Sequence, residues 1–476
     1  MNDVAPLDAS MARRERHAAL ISALAQGRTQ ISERSFGKPL AWSFYALLII
    51  AILWPRYFYL SLPGLPGLSA FVLYSMAFAL VITPFALYST NAIPPFLRII
   101  QRSPVLVGIF LLFVFWRMLT SAIAPPLSAE TSWFTFTRIF LPIGVYFVIS
   151  AVFFMDRDIY RTSLRVLLVL IIIAGLGGVA EVEMNMRLLK ILGLNESAAG
   201  GRLADSFMNN FYRDGSLRAQ SVFTQPLVFG QFMAAIAPLC VALFFNESKK
   251  WRAVAAIAFT FCLYSVFIST SRSALIGSFV AGLTFIMLML VNRFRYRWIM
   301  LAGLALLLCI ATISAFQLGE FAASVIGSTR NNVESANLRQ VMVAQSLKYA
   351  SEAPVFGYGD GSAKWLGGLS TGDGLATIDS QFLSVLLHNG YPGLILWTSF
   401  LVVMIIMAVR NAMEGSSPVV RAVNSAIAAF VAAMMMGFSV LSIEDNMVMV
   451  YLFAGMVMVD RSSTRSVSGK ISIAAF

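Results

Sequence analysis

Long apolar runs recur along almost the whole chain, separated by short polar or Pro/Gly-containing breaks. Each run is about as long as the roughly 20 residues that a helix needs to cross a bilayer core. We predict twelve spans, near residues 41–55, 68–88, 104–123, 137–155, 164–182, 223–245, 253–268, 273–291, 299–317, 391–409, 420–441 and 446–459. The pattern predicts an all-α integral membrane protein with about twelve transmembrane helices.

The composition agrees with this class, since 58% of the residues are hydrophobic and only 12% are charged, which excludes a soluble globule with a charged surface. We predict a cytoplasmic tail at 1–40, one membrane domain at 41–460 and a second cytoplasmic tail at 461–476. Cys240, Cys262 and Cys309 lie inside apolar runs without paired spacing. Neither a disulfide framework nor a zinc site is therefore indicated.

The net charge of +12 is explained better by membrane topology than by nucleic-acid binding. Lys and Arg cluster in every second connection between spans, which is typical of cytoplasmic loops. The first apolar run ends at Trp54-Pro55-Arg56 without a small-residue cleavage site, so it is predicted to be a retained span. An even number of spans then places both termini in the cytoplasm, and we predict no nucleic-acid partner.

Two connections on the predicted outer side are far longer than the others, at about 183–222 and 318–390. Long loops in compact proteins are usually functional. The same side carries cations that oppose the positive-inside bias, namely Arg117, Arg138, Arg218, Arg272 and Arg339. A single one of them is also explained as an interfacial side chain or as the partner of a carboxylate such as Glu181. As a set they indicate an anion site, because guanidinium groups suit a pyrophosphate.

Four motifs between about 217 and 393 resemble the O-antigen ligases and the related O-antigen and exopolysaccharide polymerases of bacterial envelopes. They occur in the family's order, between correctly oriented spans. The motifs are Leu217–Gly230, Ser269–Ala274, Leu338-Arg339 followed by Pro354–Gly359, and Asp379–Leu383 leading to Gly390–Gly393. The third and fourth lie in the large outer segment, which the resemblance assigns to the periplasm.

One position departs from the ligase pattern. Ligases carry a His-Asn pair about eleven residues before the Gly-x-x-Gly, where this chain has Asp379-Ser380. His388-Asn389 lies directly before Gly390, out of register, and either has a chemical role or packs between helices. The departure favours the polymerase branch of the family.

The resemblance implies glycosyl transfer from a polyprenyl-diphosphate-linked glycan to a sugar hydroxyl. It assigns Arg272 and Arg339 to the diphosphate and Asp379 to the general base, while the alternative for Asp379 is a helix N-cap. Candidate substrate contacts are Arg218, Arg138, Arg117, Glu181 and Tyr358, the last by stacking on a sugar face. We predict no cofactor and no bound metal.

The predicted function is a glycosyltransferase of the bacterial inner membrane that polymerises undecaprenyl-diphosphate-linked repeat units into exopolysaccharide or O-antigen. Within the family, the alternative is a ligase that transfers glycan to lipid A-core or protein. The alternative of another class is a polysaccharide transporter or flippase, which predicts charges at mid-membrane depth between two related halves. The expected partners are the lipid-linked oligosaccharide, membrane lipids, a chain-length regulator and other polysaccharide assembly proteins.

Overall fold

The computed structural model describes residues 36–55, 69–124, 132–191, 212–213, 216–291, 330–367, 369–370, 376–415, 417–442 and 444–473, and about 83% of it is helical. The helices are α1 (Lys38–Leu53), α2 (Ala70–Ser89), α3 (Ile93–Arg102), α4 (Pro104–Ala122), α5 (Ser132–Phe153), α6 (Arg157–Met184), α7 (Leu188–Ile191), α8 (Pro226–Asn246), α9 (Lys249–Ile268), α10 (Arg272–Val291), α11 (Arg330–Glu352), α12 (Ala363–Leu366), α13 (Gln381–Glu414), α14 (Pro418–Val440) and α15 (Met447–Ile473). Two antiparallel pairs of two-residue strands complete the described part, β1 (Tyr212–Arg213) with β2 (Ser216–Leu217) and β3 (Leu369–Ser370) with β4 (Ala376–Thr377).

Within the described residues, nine helices are long and apolar enough to cross a membrane: α2, α4, α5, α6, α8, α9, α10, α13 and α14. Each coincides with one of the predicted spans. Of the other three predicted spans, the first is the shorter α1 of 16 residues, the twelfth forms the start of α15, and the one at 299–317 lies outside the described residues. The prediction of a helical multi-pass membrane protein is confirmed, and the number twelve stays a prediction.

The starts of several spans follow from local sequence. Pro104, Pro226 and Pro418 occupy the first positions of α4, α8 and α14, where a missing N–H costs nothing and the fixed φ suits a helix. Asp156 caps α6, because its carboxylate accepts hydrogen bonds from the backbone N–H groups of Asp158 and Ile159. These residues determine where the apolar run becomes a helix.

The centre of the bundle is formed by α8 and α14, whose side chains are nearly all buried. α8 packs against α9, α10 and α14, and α13 packs against α4 and α14. α14 is rich in Ala and ends near Gly437, where a Cβ would lie 2.8 Å from Gln231 Oε1. Small residues allow such close approach where no hydrophobic force drives helices together in lipid.

One end of the bundle holds the connections predicted to face the cytoplasm. Glu247, between α8 and α9, accepts hydrogen bonds from Arg161 and Arg165 of α6. Arg461 of α15 pairs with Glu414 at the end of α13. Because these connections lie together, the remaining ones meet at the opposite end, which carries the candidate site.

One predicted boundary is corrected. The span predicted at 391–409 belongs to α13, which begins ten residues earlier, at Gln381. Gly390 and Pro392 form a break inside this helix. The described part of the long segment predicted at 318–390 contains the 23-residue helix α11.

Candidate functional site

A turn segment, residues 353–362, docks onto the break in α13. Gly390 has φ 65° and ψ −173°, so the helical hydrogen-bond pattern is interrupted there. The carbonyls of Leu387 and His388 accept instead from the backbone N–H groups of Tyr358 and Gly359, and Tyr391 N–H donates to the Pro354 carbonyl. Gly357, Gly359 and Gly361 all have positive φ, so this glycine-rich stretch makes the turns that bring it onto α13.

The docked segment carries Asp360 into contact with Arg117 of α4. Arg117 Nε lies 3.0 and 2.8 Å from the two carboxylate oxygens of Asp360, and Nη2 donates to Glu444 Oε1 at 3.2 Å. The guanidinium also lies over the Phe140 ring, 4.1 Å from its centre. Arg117, predicted to bind substrate, is thus 4% exposed and joins two carboxylates. Such a buried pair requires both partners, since either charge alone is costly in this setting.

His388 faces the same segment. Its Nε2 accepts a hydrogen bond from Gly361 N–H at 3.1 Å, and its Nδ1 lies 3.5 Å from Asp360 Oδ1. The acceptor role of Nε2 assigns the ring proton to Nδ1. Both ring nitrogens therefore face the docked segment, and the geometry favours the packing role for His388 over a chemical one.

Asp379 lies one residue before the cap of α13. The N-cap is Ser380, whose hydroxyl accepts from Leu383 N–H, so the capping explanation applies to Ser380 and not to Asp379. Asp379 is half-buried, and its backbone N–H donates to Met342 Sδ of α11. Position 339 lies three residues before Met342, on the same face of α11. The fold thus brings the backbone positions of Arg339 and Asp379 to one region, although the Arg339 side chain lies outside the described part.

Arg218 and Arg272 meet at the turn between α9 and α10. Arg218 Nε donates to the Ser269 carbonyl at 3.2 Å, and Ala219 N–H donates to the Ile268 carbonyl. Arg272 begins α10 and is half-buried. No described residue forms an ion pair with its guanidinium. The motif Ser269–Ala274 thus forms the turn between these two helices, with Thr270 in the left-handed region at φ 48°.

Glu181 has a position that differs from the one expected of a substrate contact. Its carboxylate is fully buried and accepts from the backbone N–H groups of Leu188, Gln220 and Ser221. Arg187 lies 3.7 Å from the same carboxylate and donates to the Arg218 carbonyl. Glu181 therefore fixes the segment that positions Arg218, and its geometry does not present it to a substrate.

The two remaining candidates are Arg138 and Tyr358. Arg138, in the π-helical turn of α5, lies over the Phe134 ring at 4.8 Å. The Tyr358 hydroxyl donates to the Tyr349 carbonyl and to Glu352, both of α11. Tyr358 thereby helps to hold α11 to the docked segment, and its ring lies edge-on to that of Tyr349.

The connection between α14 and α15 contacts α4 on one side and the segment that leads into α8 on the other. Glu444 contacts Arg117, while Asp445 accepts from the Thr224 hydroxyl at 2.6 Å, six residues after Arg218. Asn446 donates to the Val228 carbonyl of α8. The connection between α14 and α15 thus contacts both Arg117 of α4 and the start of α8.

Sequence reasoning missed Asp360, Glu444 and Asp445 as site residues. The available signal was the acidic pair Glu444-Asp445 in a short connection between two apolar runs on the predicted outer side. The described residues contain no cluster of three or more metal-ligating side chains.

The fold and the site define a helical multi-pass membrane protein with a basic and acidic polar site at one end of the bundle. Residues 254–398 match the family model described as O-antigen ligase. Three of the four motifs lie in that range, and the match confirms the predicted resemblance to the O-antigen ligase and polymerase family over these residues. A comparison with curated proteins gives no match. The family match supports a glycosyltransferase activity of the ligase or polymerase type, with a lipid-linked glycan as substrate.

Proposed function

We propose that the protein is a polymerase that joins polyprenyl-diphosphate-linked oligosaccharide repeat units into exopolysaccharide or O-antigen at the periplasmic face of the bacterial inner membrane. The observation that carries the proposal is Arg272 at the first position of α10. It combines a permanent cation with the positive end of a 20-residue helix, and no described residue neutralises it.

In this mechanism, the acceptor sugar hydroxyl attacks the anomeric carbon of the donor glycan, and the diphosphate leaves. Negative charge develops on the leaving oxygen, where preorganised guanidinium groups stabilise it electrostatically. Arg272 and Arg218 supply this charge, since Arg218 is tied to Ser269 beside the start of α10. We assign Arg339 of α11 to the same diphosphate on the family resemblance. The Asp379-Ser380 sequence, in place of the ligase His-Asn pair, supports the polymerase over the ligase.

The test is incubation of the purified protein with the lipid-linked repeat unit of its organism, followed by size analysis of the glycan. A ladder of multiples is expected without nucleotide or added acceptor. Consumption of the repeat unit only when lipid A-core or protein acceptor is supplied would replace the polymerase by a ligase. No consumption under either condition would favour the transporter.

Arg272 gives the matching residue test. Arg272→Ala is expected to lower the polymerisation rate at least about 100-fold, because it removes a group that stabilises the leaving charge. Arg272→Lys keeps the charge but loses the planar fork of donors, so a large part of the loss is expected to remain. Arg410→Ala, an exposed cation at the other end of the bundle, is the control. Full activity of Arg272→Lys would contradict bidentate recognition of the diphosphate.

A further inference from the structure

The carboxylates at the site end of the bundle differ in how far other groups of the protein engage their oxygens. Asp360 is fully buried with both oxygens directed at Arg117 Nε, and Glu181 is fully buried on three backbone N–H groups. Asp445 accepts from the Thr224 hydroxyl. Each of these three side chains is therefore engaged in holding the fold together.

Glu444 is different, because only one of its oxygens is engaged. Oε1 accepts from Arg117 Nη2 at 3.2 Å, and no described group hydrogen-bonds Oε2. The side chain is 26% exposed, whereas that of Arg117 is 5% exposed. Glu444 is thus anchored through one oxygen by a fixed guanidinium and remains reachable through the other.

Glu444 also lines a narrow cavity between α4, α5, α13 and α15. The other polar residues of this cavity are Arg117, Gln381 and Tyr451, and its apolar walls include Phe140 and Trp397. Glu444 is the one carboxylate among the cavity residues that the structure describes. The cavity has room for about one water molecule, about 10 Å³, so the acceptor sugar reaches Glu444 through the exposed part of its side chain.

We propose that Glu444 is the general base that accepts the proton of the acceptor sugar hydroxyl, and that Arg117 positions it. This inference rests on the proposed function. In the step, the hydroxyl proton moves to Glu444 Oε2 while the hydroxyl oxygen bonds to the anomeric carbon of the donor. The bond from that carbon to the diphosphate oxygen breaks, and its electron pair leaves with the diphosphate. Asp360 contributes indirectly, because it holds the guanidinium that orients Glu444.

The decisive variant is Glu444→Gln, which keeps the size of the side chain and an oxygen for Arg117 but cannot take a proton. A general base contributes about 10²–10⁴-fold, so kcat is expected to fall by that factor while KM for the lipid-linked donor changes less than about 3-fold. Formate added to Glu444→Ala is expected to restore part of the rate.

The controls separate this role from a structural one. Glu183→Gln changes an exposed carboxylate at the same end and is expected to retain the wild-type rate. The thermal unfolding midpoint of Glu444→Gln is expected to stay near that of the wild type. A Glu444→Gln rate within about 10-fold of wild type, or a Glu444→Ala rate that formate does not raise, would overturn the proposal. If the wild-type protein forms no ladder but transfers glycan to an added acceptor, only the proposal of a polymerase is overturned. The Glu444 variants are then compared in that ligase assay. Inactivity of the wild type in both assays would overturn the general base together with the glycosyltransferase.

Discussion

The ionisation of Asp360 is coupled to the fold. It lies in the docked turn, outside the membrane-spanning helices, with a fully buried carboxylate. Burial raises its pKa to about 6, although the Arg117 guanidinium opposes that rise. An unfolded Asp has a pKa of about 3.9, so the folded state binds this proton more tightly. The resulting stabilisation is complete below about pH 4 and is lost as the pH rises through about 6.

The Asp360→Asn variant tests this relation. Asn cannot titrate, so only the wild type should lose stability as the pH rises from about 4 to 7. Its free energy of unfolding is expected to fall relative to that of the variant by up to about 1.4 kcal/mol per pH unit. The measurement is the thermal unfolding of both proteins in the same detergent at a series of pH values. A difference between them that stays constant across this range would show that Asp360 keeps its unfolded pKa.

The partners of Arg117 could not be predicted from the sequence around it. The sequence identified Arg117 because a cation inside an apolar run is unusual. Its carboxylates lie 243 and 327 residues further along the chain, and no local pattern connects residues so far apart. Asp360 sits in a glycine-rich stretch that already had a sufficient explanation as a turn. The contact arises only when α4, the docked turn and the α14–α15 connection meet.

At the scale of elements, the break in α13 is the feature that builds the site. Gly390 adopts a backbone conformation that is essentially limited to glycine, and a Cβ there would clash with the Val355 carbonyl. The interrupted helix exposes the Leu387 and His388 carbonyls, and the docked segment satisfies them. The sequence predicted a helix start here because Gly and Pro usually end helices. The helix continues on both sides of Gly390 because a segment about 30 residues earlier docks onto the break. Local sequence signals do not reveal that contact.

Gly390→Ala is expected to lower the free energy of unfolding by at least about 2 kcal/mol and to release the docked segment. The measurement combines thermal unfolding with limited proteolysis at residues 353–362. Gly108→Ala is the matched control, because a Cβ at Gly108 meets nothing within 4 Å and a helical Ala is favoured over Gly. If both variants unfold like the wild type, the strained conformation at Gly390 has no energetic role.

At the scale of the whole molecule, class and segment order were predictable because a 20-residue apolar run is a local signal. Nine spans coincide with helices for this reason. The position of the site was predictable only in outline. The arginines on the predicted outer side share one end of the bundle, where Arg218 contacts the turn that precedes Arg272. The distinction between Glu181, which braces the fold, and Glu444, which lines a cavity, required their three-dimensional surroundings.

The orientation of the bundle remains a prediction that the charge distribution makes testable. The end opposite the site carries many cations, namely Arg157, Arg161, Arg165, Lys249, Lys250, Arg252, Arg410, Arg421 and Arg461. The positive-inside rule assigns that end to the cytoplasm and the site to the outer face. In a background with Ala at Cys240, Cys262 and Cys309, a membrane-impermeant maleimide is expected to label Glu183→Cys in intact spheroplasts. Lys250→Cys is expected to react only after permeabilisation, since it is exposed at the other end. The reverse labelling pattern would place the site in the cytoplasm, where a donor flipped to the outer leaflet does not reach it.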